Sequence, residues 1–200
     1  MDAEKRTVEW THEPSGWGGQ PMRRLFHSAA GPGSGGKVYI TGGLRGDGSG
    51  TTFSDVYAYD IETSAFNAMP DLPQGTYGHN SVLMPNGTLL LIGGVATSSV
   101  TGNPATVPLS NAYIIDTAAD TPDWEIRTVR GDEPAARRGG SLVLNEAGNK
   151  AFLFGGGDAT FDSVFGDAWE LDLDTASWRQ VSTTEEGVLC ATRPAMQLIL

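Results

Sequence analysis

Three histidines, one cysteine and a tyrosine two positions from a histidine are the side chains from which chemistry could be built in this chain of 200 residues. They are His12, His27, His79, Cys190 and Tyr77. A metal site would need ligands clustered at short spacings, and neither His-Glu-x-x-His nor Cys-x-x-Cys occurs. One cysteine also excludes an internal disulfide framework. No Gly-x-Ser-x-Gly elbow presents a serine nucleophile. Gly31-Pro-Gly33-Ser-Gly-Gly36 has the letters of a phosphate-binding loop, but that loop needs a strand before it and a helix after it. Here the apolar run Lys37-Val-Tyr-Ile follows, so a hairpin turn is the better reading. Arg130-Gly-Asp-Glu133 and the other scattered acids read as solvated loops. Tyr77 and His79 are the exception: residues i and i+2 of a strand share a face, so the pair could point at one metal ion. Apart from that pair, the residues give no catalytic constellation, no cofactor and no metal site.

Composition narrows the partners. Twenty-four acids against 13 Lys and Arg give a net charge of -11, which argues against a nucleic acid. Apolar residues recur throughout at 39%, so the chain is globular, yet no run approaches the ~18 apolar residues of a membrane-spanning helix. No basic-then-apolar leader follows Met1. Only Lys5, Lys37 and Lys150 are lysines; a surface rich in Ser, Thr and Gly leans towards an extracellular or membrane-anchored setting, and a native start at Met1 towards the cytoplasm. Asn86-Gly-Thr88 is a glycosylation sequon that matters only in the secretory pathway.

The elements that would have to position any site repeat three times. An apolar run closes on a double glycine at Gly42-Gly43, Gly93-Gly94 and Gly155-Gly156. An aromatic then precedes an aspartate by three positions: Tyr57 and Asp60, Tyr113 and Asp116, Trp169 and Asp172. A further aromatic follows at Phe66, Trp124 and Trp178, offset from the previous one by 9, 11 and 9 residues. Ahead of each glycine pair stand Phe26-His27-Ser, Gly78-His79-Asn and Arg138-Gly139-Gly, with Gly139 in the place of the two histidines. A recurring histidine implies a recurring structural task, such as a hydrogen bond to the backbone of a neighbouring repeat. Leu-Leu-Leu-Ile and Phe-Leu-Phe read as strands buried on both faces. Pro85-Asn86-Gly87 and Asn145-Glu-Ala-Gly148 have hairpin-turn chemistry, and helical periodicity is absent. Each repeat is therefore a four-stranded antiparallel sheet of about 50 residues.

Double glycine, Asp/Asn-x-aromatic-x-x-Asp and a later Trp resemble the kelch repeat, with Phe66 departing from the usual Trp. The resemblance implies an all-β, kelch-type β-propeller fold. It divides the chain into blade 1 at 22–74, blade 2 at 75–134 and blade 3 at 135–185. Residues 1–21 would hold the last strand of a preceding blade (Thr7–Trp10) and a linker, and 186–200 the first strand of a further, truncated blade (Arg193–Leu200). That is an incomplete propeller: about three complete blades with partial blades at both ends, a fragment of a larger protein or a self-assembling unit.

The resemblance further implies a non-catalytic module that binds a protein or a glycan where strand-two-to-three loops and strand-four-to-one loops line one mouth. The contact candidates are Trp17, Arg23, Arg45, Asp47, Thr97, Asn103, Arg137, Arg138, Asp158 and Phe161. Trp17, flanked by Gly16 and Gly18, either anchors a partner or tucks under the first blade. The competing reading is a copper radical oxidase of the galactose oxidase type, whose propeller uses two tyrosines, two histidines and a Cys-linked tyrosine. Tyr77 and His79 resemble that neighbourhood, but a second histidine ligand is not evident and Cys190 is far along the chain. A structural ectodomain of a membrane-anchored kelch protein is the third.

Overall fold

A computed structural model describes residues 19–32, 36–97 and 103–181. The strands expected at 7–10 and 193–200, together with His12, Trp17 and Cys190, lie outside the described residues. Within them the fold is all-β. Blade 1 is Ser28–Ala30, Lys37–Thr41, Val56–Asp60 and Ala65–Met69. Blade 2 is Asn80–Leu83, Thr88–Ile92, Asn111–Asp116 and Glu125–Thr128. Blade 3 is Ser141–Leu144, Lys150–Phe154, Ala168–Asp172 and Ser177–Val181. Each is a consecutive antiparallel meander, and Arg130–Gly131 adds a short parallel strand to the outer edge of blade 3. No helix of the described residues is long and apolar enough to cross a membrane.

The register aligns the repeats. The residue before each double glycine pairs with the first and third strands: Thr41 with Ser28 and Val56, Ile92 with Asn80 and Ala112, Phe154 with Ser141 and Ala168. This corrects one correspondence: the histidine position of the third repeat is Gly140, not Gly139. The aspartates that recur in the three repeats turn the chain between strands three and four. Asp60 accepts from the backbone N–H groups of Glu62 and Thr63, Asp116 from that of Ala118, and Asp172 from that of Thr175. Blade 2 has two extra residues in this turn, which accounts for its longer aromatic offset.

Two apolar layers join the blades. Leu89, Leu91, Tyr113 and Ile115 of blade 2 pack with Tyr39, Val56 and Ala58 of blade 1. Leu90, Ile92 and Ile114 pack with Leu153, Trp169, Leu171 and Trp178 of blade 3. Leu89 to Ile92 are all buried, as a strand covered on both faces requires. Phe-Leu-Phe differs from its expectation: Leu153 is buried but Phe152 and Phe154 are exposed, because no described sheet covers the far face of blade 3.

The seams are set by backbone contacts. The second glycine of blade 1, Gly43, donates its N–H to Thr76 O of the next blade at 2.9 Å, and Gly94 donates to Arg137 O at 2.9 Å. Gly93 has φ +68°, and a Cβ there would stand 2.8 Å from Arg137 O. Only glycine meets both demands.

Two arginines brace these corners. Arg137 has a side chain of 0% exposure, bonds Asp167 through both terminal nitrogens at 2.5 and 2.9 Å, and donates to Gly155 O and Ala135 O. Its guanidinium lies 4.3 Å from the ring centre of Phe165. Arg24 repeats the arrangement with Asp55, Gly42 O, Met22 O and Phe53. Blade 2 has Thr76, Leu109 and Asn111 at the corresponding positions, so the three members change together.

His79 bridges the first seam. Its Nε2 is 2.8 Å from Thr41 Oγ1 of blade 1, beside a Ser28–Ser81 hydroxyl contact of 2.6 Å. The expected inter-blade hydrogen bond is thus made to a side-chain hydroxyl rather than to backbone. Burial, with a smaller contribution from His27, pushes its pKa down to about 4.

Two outcomes follow from these seams. Asp167→Ala leaves a buried guanidinium without its counter-charge and should destabilise by about 3 kcal/mol in urea unfolding; a loss within 0.5 kcal/mol, roughly the effect of an ordinary surface substitution, would show that the brace is incidental. His79, neutral when folded, takes up a proton on unfolding below its ordinary pKa of 6.5. Its contribution is therefore full above about pH 6.5 and falls by on the order of 3 kcal/mol between there and pH 4. His79→Gln should flatten the stability profile across that window, measured by urea unfolding at pH 7, 6, 5 and 4.

Candidate functional site

Beyond each double glycine the chain builds a small ladder that joins the two loop sets at one end of the blades. Arg24–Leu25 pairs with Leu44–Arg45, and Thr76–Tyr77 pairs with Val95–Thr97, which pairs in turn with Pro104–Thr106. Arg138 bridges to Gly157, and Gly157 to Val164. A second ladder runs from blade to blade through three register-equivalent residues with positive φ: Phe26 (54°), Gly78 (65°) and Gly139 (68°). Gly78 N donates to Phe26 O, and Gly139 N to Gly78 O, both at 2.8 Å.

Arg138 lies on this ladder. Its side chain passes over Gly78, where a Cβ would come within 3.1 Å of the arginine Cβ. The guanidinium carbon is 4.4 Å from the ring centre of Phe161, 5.4 Å from that of Tyr77 and 5.9 Å from that of Phe26. These distances fall within the range of cation–π attraction. Phe26 and Tyr77 are 6.3 Å apart, centre to centre. Arg138 Nε is buried with no hydrogen-bond partner, and among the described residues no carboxylate forms an ion pair with this side chain. Phe26 is 57% exposed, and Met22, Leu25, Phe161 and Val164 of the same loops are exposed as well. Phe161 has φ 62°, so both phenylalanines at this site occupy a region that bulky residues rarely adopt.

The sequence-derived contact residues fall into distinct groups. Arg138 and Phe161 come together at the centre. Arg45 and Asp47 form an exposed ion pair at 2.7 Å, and Arg23 is exposed nearby in sequence to the strut Arg24. Thr97 and Asn103 are exposed on the blade 2 ladder. Asp158 turns back into its own loop, accepting from the N–H groups of Thr160, Asp162 and Ser163. Arg137 is a correction: it is the wholly buried partner of Asp167, not a surface contact. Tyr77 and Phe26 were missed. Phe26 stands where the other two repeats have glycine, which was readable once the third repeat is aligned one residue later.

Tyr77 and His79 do not converge. The left-handed Gly78 breaks the strand between them, so Tyr77 joins the exposed cluster while His79 is buried against Thr41. Among the described residues, no group of three or more His, Cys, Asp or Glu is placed to hold a metal ion.

The kelch motif matches residues 26–73. The chain is 30% identical over 171 residues to Adagio-like protein 1 of Oryza sativa subsp. japonica, covering 78% of this chain and 25% of the rice protein. It is 28% identical over 179 residues to Kelch domain-containing protein 3 of Homo sapiens, covering 80% and 42% respectively. Against Kelch domain-containing protein 10 of Rattus norvegicus it is 28% identical over 159 residues, covering 74% and 35%. The chain thus spans well under half the length of these curated relatives. The matched kelch motif in the first blade, the similarity to kelch domain-containing proteins and the three register-aligned blades together support a kelch-repeat family for this chain.

Proposed function

We propose that this chain is a non-catalytic binding module whose mouth docks a protein partner through Arg138 and the rings of Phe26, Tyr77 and Phe161. The observation that carries this reading is the guanidinium held among three rings with no carboxylate paired to it among the described residues. Arg24 and Arg137 are each neutralised by an aspartate and buried as braces, and Arg45 is paired with Asp47. Arg138 is half-buried among the rings with its Nε unpartnered, on a chain that is otherwise strongly acidic. Aromatic and arginine side chains are the usual anchors of protein interfaces, and exposed apolar neighbours supply the surrounding contact. A partner segment with an acidic side chain beside an apolar one matches the patch. Sequence similarity to the kelch domain-containing relatives supports a binding role over a catalytic one. The divergence of Tyr77 from His79 weighs against the copper oxidase reading.

A glycan is the second reading, because exposed ring faces also stack on sugars. It would depend on the rings and little on the arginine charge. A random displayed-peptide library and a glycan array, each probed with the 200-residue chain, separate the two. We expect acidic-apolar peptides whose affinity falls at least about tenfold with Arg138→Ala or Phe161→Ala, the cost of an interface anchor. Ile126→Ala, on the outer strand of blade 2, should leave binding unchanged. Phe26→Gly should weaken binding while keeping or raising stability, since it relieves about 1 kcal/mol of left-handed strain. Binders indifferent to all three mouth substitutions, or sugars bound equally by Arg138→Ala, would remove the protein-docking reading.

A further inference from the structure

The opposite end of the blades holds a cleft that this mouth does not use. It lies between blades 2 and 3, has a volume of about 420 Å³, and is reached from the ends of the strands remote from the double glycines. Its floor is apolar and belongs to both blades: Leu90 and Ile114 from blade 2, Leu171 and Leu173 from blade 3. A volume of this size is within the range of small-molecule sites.

The register explains why this seam is open. In blade 1 the fourth strand sends Met69, opposite Val56, into the apolar layer against blade 2. At the corresponding position of blade 2, opposite Ala112, stands Arg127, and two residues earlier Glu125 replaces Asn67. The fourth strand of blade 2 is exposed along its whole length. The enlarged turn before it adds Ala119, Thr121 and Asp123 as a wall. A thioether that closes the first seam is thus missing from the second, and charged groups stand at the edge of the resulting space.

Those charges are unequal. Asp116, Asp123 and Glu125 line the cleft against Arg127 alone, and none of the three carboxylates forms an ion pair with a described residue. Arg127 likewise has no ion pair among the described residues. We propose that the cleft between blades 2 and 3 binds a small amphiphilic cation, its apolar body on Leu90, Ile114 and Leu171 and its ammonium group among Asp116, Asp123 and Glu125. The site is independent of the mouth, so its failure leaves the docking reading untouched.

The test is a titration followed by amide chemical shifts, with 4-phenylbutylamine, 4-phenylbutan-1-ol and 4-phenylbutyrate as a matched cationic, neutral and anionic series at pH 7. The amine should bind, shifting amides of Leu90, Ile114 and Leu171, at least about fivefold tighter than the alcohol and more so than the acid. Glu125→Gln, an exposed change that leaves the fold alone, should weaken the amine about threefold and leave the alcohol unchanged. Arg127→Met should refill the seam as Met69 fills the first, raising the melting temperature and abolishing binding of all three probes. Equal affinity across the series, shifts centred on Phe26 and Phe161, amine binding that survives Arg127→Met, or no amine binding at millimolar concentration would each overturn the proposal.

Discussion

The close approach of one blade's backbone to the corner of the preceding blade governs everything else in this molecule. The carbonyls of Thr76 and Arg137 each meet a double glycine at 2.9 Å, at positions where any Cβ would collide. A side chain there would push the sheets apart, and the leucine-rich layers behind them would lose contact. Once the corners meet, the left-handed ladder through Phe26, Gly78 and Gly139 is fixed in height and spacing. The mouth is a consequence of that seam: Arg138 can span rings from blades 1, 2 and 3 only because the three corners are held together.

The corners are braced in two interchangeable ways. Arg24 and Arg137 each combine a bidentate carboxylate, a carbonyl at the double glycine and an aromatic face. Blade 2 replaces the whole set with Thr76, Leu109 and Asn111, and fills the corner with apolar contact instead. Leu109 is buried there, and its carbonyl accepts the indole N–H of Trp178 at 2.9 Å. Removing one member of the charged set strands the others, whereas exchanging the set leaves a packed corner. That asymmetry between breaking and replacing a buried ion pair is general. It explains why arginine and aspartate are both present or both absent in each repeat.

Much of the architecture was legible because it rests on residue types with few substitutes. Double glycines, turn-forming aspartates and an aromatic at a constant register identify the strands and their order, and the structure places all of them in equivalent positions. The covarying triads were equally present in the letters, but an arginine and an aspartate 30 residues apart carry no local signal of their contact. Arg137 therefore read as a surface residue when it is the most deeply buried charge among the described residues. The one-residue misalignment of the third repeat had a similar origin: without its histidine, only the pairing of Ser141 with Phe154 fixes the register. The exposure of Phe152 and Phe154 was not legible either, because an apolar strand reads alike whether one face or two are covered.

What distinguishes this chain from a generic stack of blades is found where its repeats disagree. Shared positions are committed to turns, seams and core, and a side chain that satisfies all three repeats has little freedom to recognise anything. Phe26 replaces a glycine and accepts a left-handed backbone; Arg138 occupies a position held by Leu25 and Tyr77 in the other blades; Phe161 sits in a loop of its own length. At the other end, Arg127 and Glu125 replace Met69 and Asn67 and leave a cleft where the first seam is closed. Each departure costs stability, through strain in one case and lost apolar contact in the other. The double glycines themselves are kept in all three repeats, so the contact between corners stays constant while the residues at the two ends of the blades differ.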